Sequence, residues 1–190
     1  GTAAFHYGQS VFEGLKVFRQ KDGSVAAFRA DLHAKRFMKS CQRLAMPVIN
    51  EEVFMECLKA FMEFEESSVP GEPDHSLYIR PLQFGADEMI KVGRSKSYAF
   101  YILGTIAGSY FPGGQARPAR VFVGRQFVRA FPGGLGEVKT AANYAASLGP
   151  QTYAEKFQCD QVLYLDAVHH DLIDELGGMN FFAVRNGALV

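Results

Sequence analysis

The chain has no excess of charge of either sign: 20 basic and 20 acidic side chains leave a formal net charge of zero over 190 residues. It therefore lacks the electrostatic footprint of a nucleic-acid or anionic-membrane binder, and the expected partner is a small molecule or a second copy of itself. Cysteine is scarce and scattered. Cys41, Cys57 and Cys159 form no metal-type pair and no Cys-x-x-Cys, which fits a reducing compartment. Long apolar runs are also missing. The longest, Tyr98 to Gly108, falls short of the roughly 20 residues that a bilayer-spanning helix needs. Tryptophan is absent beside 17 phenylalanines, and nothing about function follows from that. No internal repeat, low-complexity tract or heptad pattern is found.

What is present is an ordinary globular balance, 48% hydrophobic and 21% charged, with enough chain for one large or two small domains. Val11–Arg19 and Ser24–Arg29 flank Asp22–Gly23, a short hairpin signal. Asp31 is the expected N-cap of a helix reaching Met46 and stopped by Pro47, with Ala34, Phe37, Met38, Cys41, Leu44 and Ala45 along its apolar stripe. A second helix is expected over Glu51–Phe64, its two leading glutamates suiting the positive helix end, followed by a polar loop over Glu65–His75. Strands are expected at Ser76–Phe84, Ser97–Ala107, Arg120–Val128 and Gln161–Asp166. A helix from near Asn143 should be interrupted at Gly149–Pro150. The Gly- and Pro-rich stretch 108–118 reads as a linker, dividing a small α+β domain (1–107) from the start of an α/β domain (119–190). The chain opens without a Met and closes on a predicted strand, Phe181–Arg185, then Asn186–Gly187 and a strand barely begun. Both ends are therefore expected to be truncated.

Four constellations could carry chemistry. In the run from Arg129 to Ser147, glycines allow backbone to approach a ligand, and Lys139 beyond them stands among small residues. A lysine desolvated there would favour the neutral amine that attacks carbonyls, although a solvated surface lysine is the commoner case. In Asp174-Glu175-Leu-Gly177-Gly178, a carboxylate could face a ring nitrogen and backbone amides could ring a phosphate; an ordinary turn with a solvated acid is the plainer reading. In Leu77-Tyr78-Ile79-Arg80-Pro81, Tyr78 and Arg80 share one strand face, where the planar fork of an arginine can grip a carboxylate. The opening run Phe5–Gly14 contains His6, which has no Ser, Cys or metal-ligand partner at a helpful spacing and is expected to be structural. His169–His170 reads as exposed loop, and no metal site is expected.

Singly these signals are weak, but six runs in order (HYGQSVFEG, FRADLHAKR, LYIRP, RAFPGGLGEVKTAANYAAS, QVLYLD and ELGGMNFF) resemble the fold-type IV, pyridoxal-phosphate-dependent branched-chain aminotransferases over essentially the whole chain. The resemblance implies reversible amino transfer between leucine, isoleucine or valine and 2-oxoglutarate, by a homodimer. It implies that Lys139 carries the cofactor covalently and moves the substrate's α-proton. It places Glu175 on the pyridine nitrogen, Tyr144 near the phenolic oxygen, and Arg36 on the phosphate with Gly177 and Gly178. Tyr7, Phe12, Tyr78 and Arg80 would line the substrate site. Arg36 lies on the polar side of its helix, where periodicity alone predicts solvation. D-amino acid aminotransferases and aminodeoxychorismate lyases share the lysine and glutamate, but the LYIRP and VFEG runs look like the branched-chain group. A further alternative is that the fragment by itself is not catalytic, because the family's later Gly- and Thr-rich binding turn is not in it. A cytoplasmic location is expected, with the mitochondrion left open by the missing N-terminus.

Overall fold

Alternation along Ser76–Gly85 builds the centre of the first sheet. Leu77, Ile79, Pro81 and Gln83 are buried, while Tyr78, Arg80, Leu82 and Phe84 on the opposite face are only partly covered. A computed structural model describes residues 1–109 and 117–190 of the chain; of the expected linker, 110–116 lie outside the described residues. The chain forms two compact units, Gly1–Ala116 with Val138–Ala142, and Arg117–Glu137 with Asn143–Val190.

In the first unit a short helix α1 (Ala3–Tyr7) leads into β1 (Ser10–Phe12), β2 (Leu15–Arg19) and β3 (Val25–Ala27). Helices α2 (Ala30–Arg43) and α3 (Glu51–Phe64) follow, then a single 3-10 turn (Glu66–Ser68), β4 (Ser76–Gly85) and β5 (Tyr98–Ala107). All pairings are antiparallel. Strand β4 pairs along its full length with β5 on one side; on the other it meets β2 at residues 77–79 and β1 at 82–84, and β3 extends β2. The expected strand Val11–Arg19 is thus two strands, separated at Glu13–Gly14. The cause is steric. A Cβ on Gly14 would collide with the Tyr78 hydroxyl, so the backbone bends where a glycine lets Tyr78 pass.

Helices α2 and α3 cover the buried sheet face. Phe37 and Cys41 from α2, Phe54 and Leu58 from α3, and Leu15, Val17, Leu77 and Ile79 from the sheet are at most 3% exposed. Phe37, Phe54 and Phe100 meet with ring centroids 5.4 to 6.4 Å apart, a geometry favoured by the aromatic quadrupole. Helix α3 has the predicted span, and the Asn50 side chain caps it by accepting from Val53 N–H at 2.8 Å, a preferred capping arrangement. Helix α2 departs from expectation at both ends. Arg29, not Asp31, is its N-cap, in the left-handed region, and Asp31 falls in the first turn. It ends at Arg43 because Ala45 turns left-handed (φ 53°) and Met46 N–H closes back on Cys41 O, ahead of Pro47.

The second unit holds β6 (Val121–Gly124) parallel to β7 (Gln161–Leu165), with β8 (Ile173–Leu176) antiparallel beyond it. Helix α4 spans Ala141–Glu155 without interruption, contrary to the break expected at Gly149–Pro150. Proline normally forces its predecessor out of the helical region by clashing with that residue's Cβ. Gly149 has none, which relieves that part of the clash, while Pro150 still lacks the N–H for one helical hydrogen bond. Its Pro150 is buried, as is Ala154, against which Val162 and Tyr164 pack. The chain closes in a hairpin, β9 (Val184–Arg185) with β10 (Ala188–Leu189), whose turn uses positive φ at Asn186 and Gly187.

Candidate active site

In the first unit Lys139 is fixed by its neighbours in space, not in sequence. Its carbonyl accepts from Phe12 N–H (3.1 Å), its N–H donates to Ser40 Oγ (3.0 Å), and Thr140 Oγ1 donates to Ser10 O (2.8 Å). Val11 and Thr140 bridge like neighbouring strands, and Val138 and Thr140 on either side are buried. The backbone of Lys139 is therefore held rigidly along β1, and its ammonium lies 4.9 Å from the Phe12 ring centroid.

The same ring carries a second cation, the Arg80 guanidinium at 4.5 Å. Arg80 also lies 5.3 Å over the Tyr78 ring and donates from Nη2 to the Tyr78 hydroxyl (2.9 Å). Its Nε is buried with no hydrogen-bond partner among the described residues. Lys139, Phe12, Arg80 and Tyr78, four expected site residues from widely separated runs, thus form one cluster. Two cations and a hydroxyl around an aromatic ring suit an anionic, carboxylate-bearing ligand. Tyr7 does not join it: at the end of α1, its hydroxyl donates to Ile90 O.

Arg36 is engaged elsewhere in the unit. Its Nε and Nη2 donate to Glu13 Oε1 (2.5 Å) and Oε2 (2.7 Å). Glu13 is fully buried at the β1–β2 bend, and it also accepts from His33 Nδ1 (2.8 Å) and Gly14 N–H (3.2 Å). Burial alone would raise its carboxyl, but the hydrogen bonds of Arg36 and His33, the Arg36 charge and the Gly14 amide outweigh it and hold Glu13 below the usual carboxylate range. The Arg36 side chain stays 48% exposed, so a buried carboxylate orients an arginine that still reaches solvent. Sequence reading assigned Glu13 no role. A signal was there: in an alternating strand Glu13 falls on the same face as Val11, the core face, where a carboxylate needs a partner.

In the second unit β7 and β8 pair Tyr164 with Glu175. The Glu175 side chain is 47% exposed and its Oε2 lies 3.6 Å from Arg129 Nε. A hollow of about 410 Å³ opens here, lined by Glu175, Asp174, Met179 and Phe181 among others. Tyr144, in the first turns of α4, lies under the Arg129 guanidinium, 5.4 Å from ring centroid to Cζ. Arg129 was likewise given no role by sequence reading. Gly177 N–H donates to Val162 O (2.9 Å) and Gly178 N–H to Gln161 Oε1 (3.0 Å), so a phosphate would have to displace these bonds to use either amide. Among the described residues no cluster of three or more His, Cys, Asp and Glu could hold a metal ion.

The family model of amino-transferase class IV matches residues 10–190. The chain belongs to that family. Among class IV relatives, Branched-chain-amino-acid transaminase 1 of Bacillus subtilis (strain 168) is 46% identical over 189 residues, all of this chain and 53% of its own length. The branched-chain-amino-acid aminotransferase of Mycobacterium tuberculosis (strain H37Rv) is 44% identical over 94% of this chain and 49% of its own. The chain thus spans about half the length of these curated relatives. Two crystal structures of a T.th. branched-chain amino acid aminotransferase share the fold. The one with pyridoxamine 5'-phosphate has a TM-score of 0.80 at 27% identity over 99% of this chain and 60% of that one. The one with N-(5'-phosphopyridoxyl)-L-glutamate has a TM-score of 0.76 at 26% identity, covering 99% and 58%. The expected class, an α+β small domain followed by part of a second domain in the fold-type IV arrangement, is the one observed.

Proposed function

We propose that this class IV chain carries the Lys139 half of a pyridoxal-phosphate-dependent transaminase acting between branched-chain L-amino acids and 2-oxoglutarate. The observation that carries the reading is Lys139 itself, tied by its backbone to β1 and Ser40 with its ammonium beside the Phe12 ring, which Arg80 also approaches while donating to Tyr78. The names of the relatives favour branched-chain substrates over the D-amino acid aminotransferase and aminodeoxychorismate lyase alternatives.

The residues present fit the cofactor. A lysine amine suits an aldehyde, two arginines supply cations for phosphate and carboxylate, and the buried, unused Nε of Arg80 is a donor awaiting an acceptor. In the second unit the half-exposed Glu175 carboxylate borders a hollow. When bound, pyridoxal phosphate supplies the electron sink that stabilises a substrate carbanion. Lys139 would hold the cofactor, and its free amine would take the substrate's α-proton and return it, as a ping-pong transfer requires. Arg36, oriented by Glu13, would bind the phosphate; the Gly177 and Gly178 amides would serve it only after leaving their present acceptors, Val162 O and Gln161 Oε1. Glu175 would hold the ring-nitrogen proton and Tyr144 would donate toward the phenolic oxygen. Arg80 and Tyr78 would grip the substrate carboxylate, and Phe12 would line the apolar side; Tyr7, whose hydroxyl donates to Ile90 O, stands outside this cluster.

The working assembly on this reading is a homodimer, in the cytoplasm or, for a eukaryotic source, the mitochondrion, serving branched-chain amino-acid biosynthesis. Among the described residues no helix is long and apolar enough to cross a membrane. The test is glutamate formation from leucine and 2-oxoglutarate by the full-length protein, alongside Lys139→Ala and a panel of L- and D-amino acids. The Lys139→Ala variant should lose turnover and the borohydride-reducible link to the cofactor. Near-parental transamination by that variant, or preference for D-amino acids, would sink the proposal.

A further inference from the structure

Arg129 has an unusual position for a permanent charge. A guanidinium stays protonated in proteins and is costly to bury without partners, yet only 7% of the Arg129 side chain is exposed. Its cationic face lies 5.4 Å from the Tyr144 ring centroid, and its Nε is 3.6 Å from Glu175 Oε2, just beyond hydrogen-bond reach. Both Nε and Nη1 are buried with no hydrogen-bond partner among the described residues. Leaving a buried donor unmade is costly, so stability alone is a poor reason for such a residue. Its field also reaches Tyr164, the cross-strand neighbour of Glu175. Burial pushes that phenol up and the Glu175 charge adds to the rise, while Arg129 works in the opposite direction.

We propose that Arg129 is a positioning residue, a clamp between β8 and α4 that sets Glu175 through Nε and Tyr144 through its guanidinium face. The inference rests on the transaminase reading, because its consequence is felt through the two side chains assigned there to the cofactor ring. Arg129 itself exchanges no proton. A small shift converts the 3.6 Å contact with Glu175 into a charge-assisted hydrogen bond, and the planar guanidinium, unlike a lysine ammonium, can stack on Tyr144 while doing so.

The test uses full-length protein loaded with pyridoxal phosphate and compares Arg129→Met, Arg129→Lys, Glu175→Gln and the Arg129→Met/Glu175→Gln double variant. Turnover with leucine and 2-oxoglutarate should fall on the order of 10²-fold in Arg129→Met, as for loss of a preorganised electrostatic contact. The Michaelis constants should stay within about threefold, since substrate contacts are untouched. The double variant should be no slower than Glu175→Gln alone, because residues acting as a unit are not additive. The pH midpoint of the bound cofactor's visible absorbance should move upward in Arg129→Met, since a nearby positive charge opposes protonation; a merely structural arginine would leave it in place. Arg129→Lys keeps the charge without the fork. It should hold that midpoint yet lose about tenfold in turnover, and it remains informative if the methionine variant does not fold. Parental turnover and midpoint in a folded variant, or a double variant whose loss is the product of the two single losses, overturns the inference and leaves the transaminase reading standing. A parental protein with no cofactor absorbance would overturn both.

Discussion

Replacing Glu13 with glutamine removes one charge and few atoms, and the structure predicts a large, pH-dependent cost. The Glu13 carboxylate is fully buried and accepts two hydrogen bonds from Arg36, one from His33 and one from Gly14 N–H. A glutamine presents an NH2 group to donors, so at least one of these contacts becomes donor against donor. Hydrogen bonds to charged groups are worth about 1.5–3 kcal/mol each, but Arg36 is 48% exposed and water replaces part of its loss. The expected net cost is about 2–4 kcal/mol near neutral pH, toward the low side of breaking a buried pair. The folded-state carboxyl is depressed below its usual range, so its contribution is fully present above the unfolded value of about 4.3 and is lost as pH falls through the folded value. Urea unfolding of full-length apoprotein, parent against Glu13→Gln, should therefore show a gap at pH 7 that narrows steadily below about pH 4.3. A gap of the same size in acid as at neutrality, or none at neutrality, would refute the reasoning.

Three other substitutions and one labelling experiment probe separate parts of the molecule. Arg36→Ala should demand excess pyridoxal phosphate in titrations, whereas Arg80→Ala should keep cofactor affinity close to parental and raise the Michaelis constant for 2-oxoglutarate; equal cofactor affinities would end that division of labour. Gly14→Ala places a Cβ against the Tyr78 hydroxyl, closer than any real Cβ contact allows. It should destabilise by about 1–3 kcal/mol and raise the same Michaelis constant by breaking the 2.9 Å bond from Arg80 to Tyr78; unchanged stability and kinetics would show that the contact does not matter. Burial pushes the Cys41 thiol up to about 12, so peptide mapping after iodoacetamide treatment of native protein at pH 8 should find Cys41 unmodified. Modification as fast as in urea-unfolded protein would contradict the packed α2–sheet core.

What the sequence determined by itself is local and periodic. The span of α3, the alternation that puts Tyr78 and Arg80 on one face of β4, and the turn at Asp22–Gly23 (Gly23 at φ 87°) follow from burial period and backbone sterics within a few residues. The order of the six runs was enough to suggest the family. Tertiary structure decided the rest. Arg36 sits on the polar side of α2, where periodicity predicts solvation, and its contact with Glu13 at the Gly14 bend gives it a fixed direction. Lys139 is positioned by bonds to Phe12 and Ser40, and Thr140 by one to Ser10, contacts between segments about a hundred residues apart that no local pattern encodes. Arg129 stands in an irregular stretch without periodicity, so its burial between Glu175 and Tyr144 had no local signal. Helix α4 passes through Pro150 because Gly149 lacks the clashing Cβ and Pro150 itself is buried: packing outweighed one missing hydrogen bond, and local propensity carries only half of that balance.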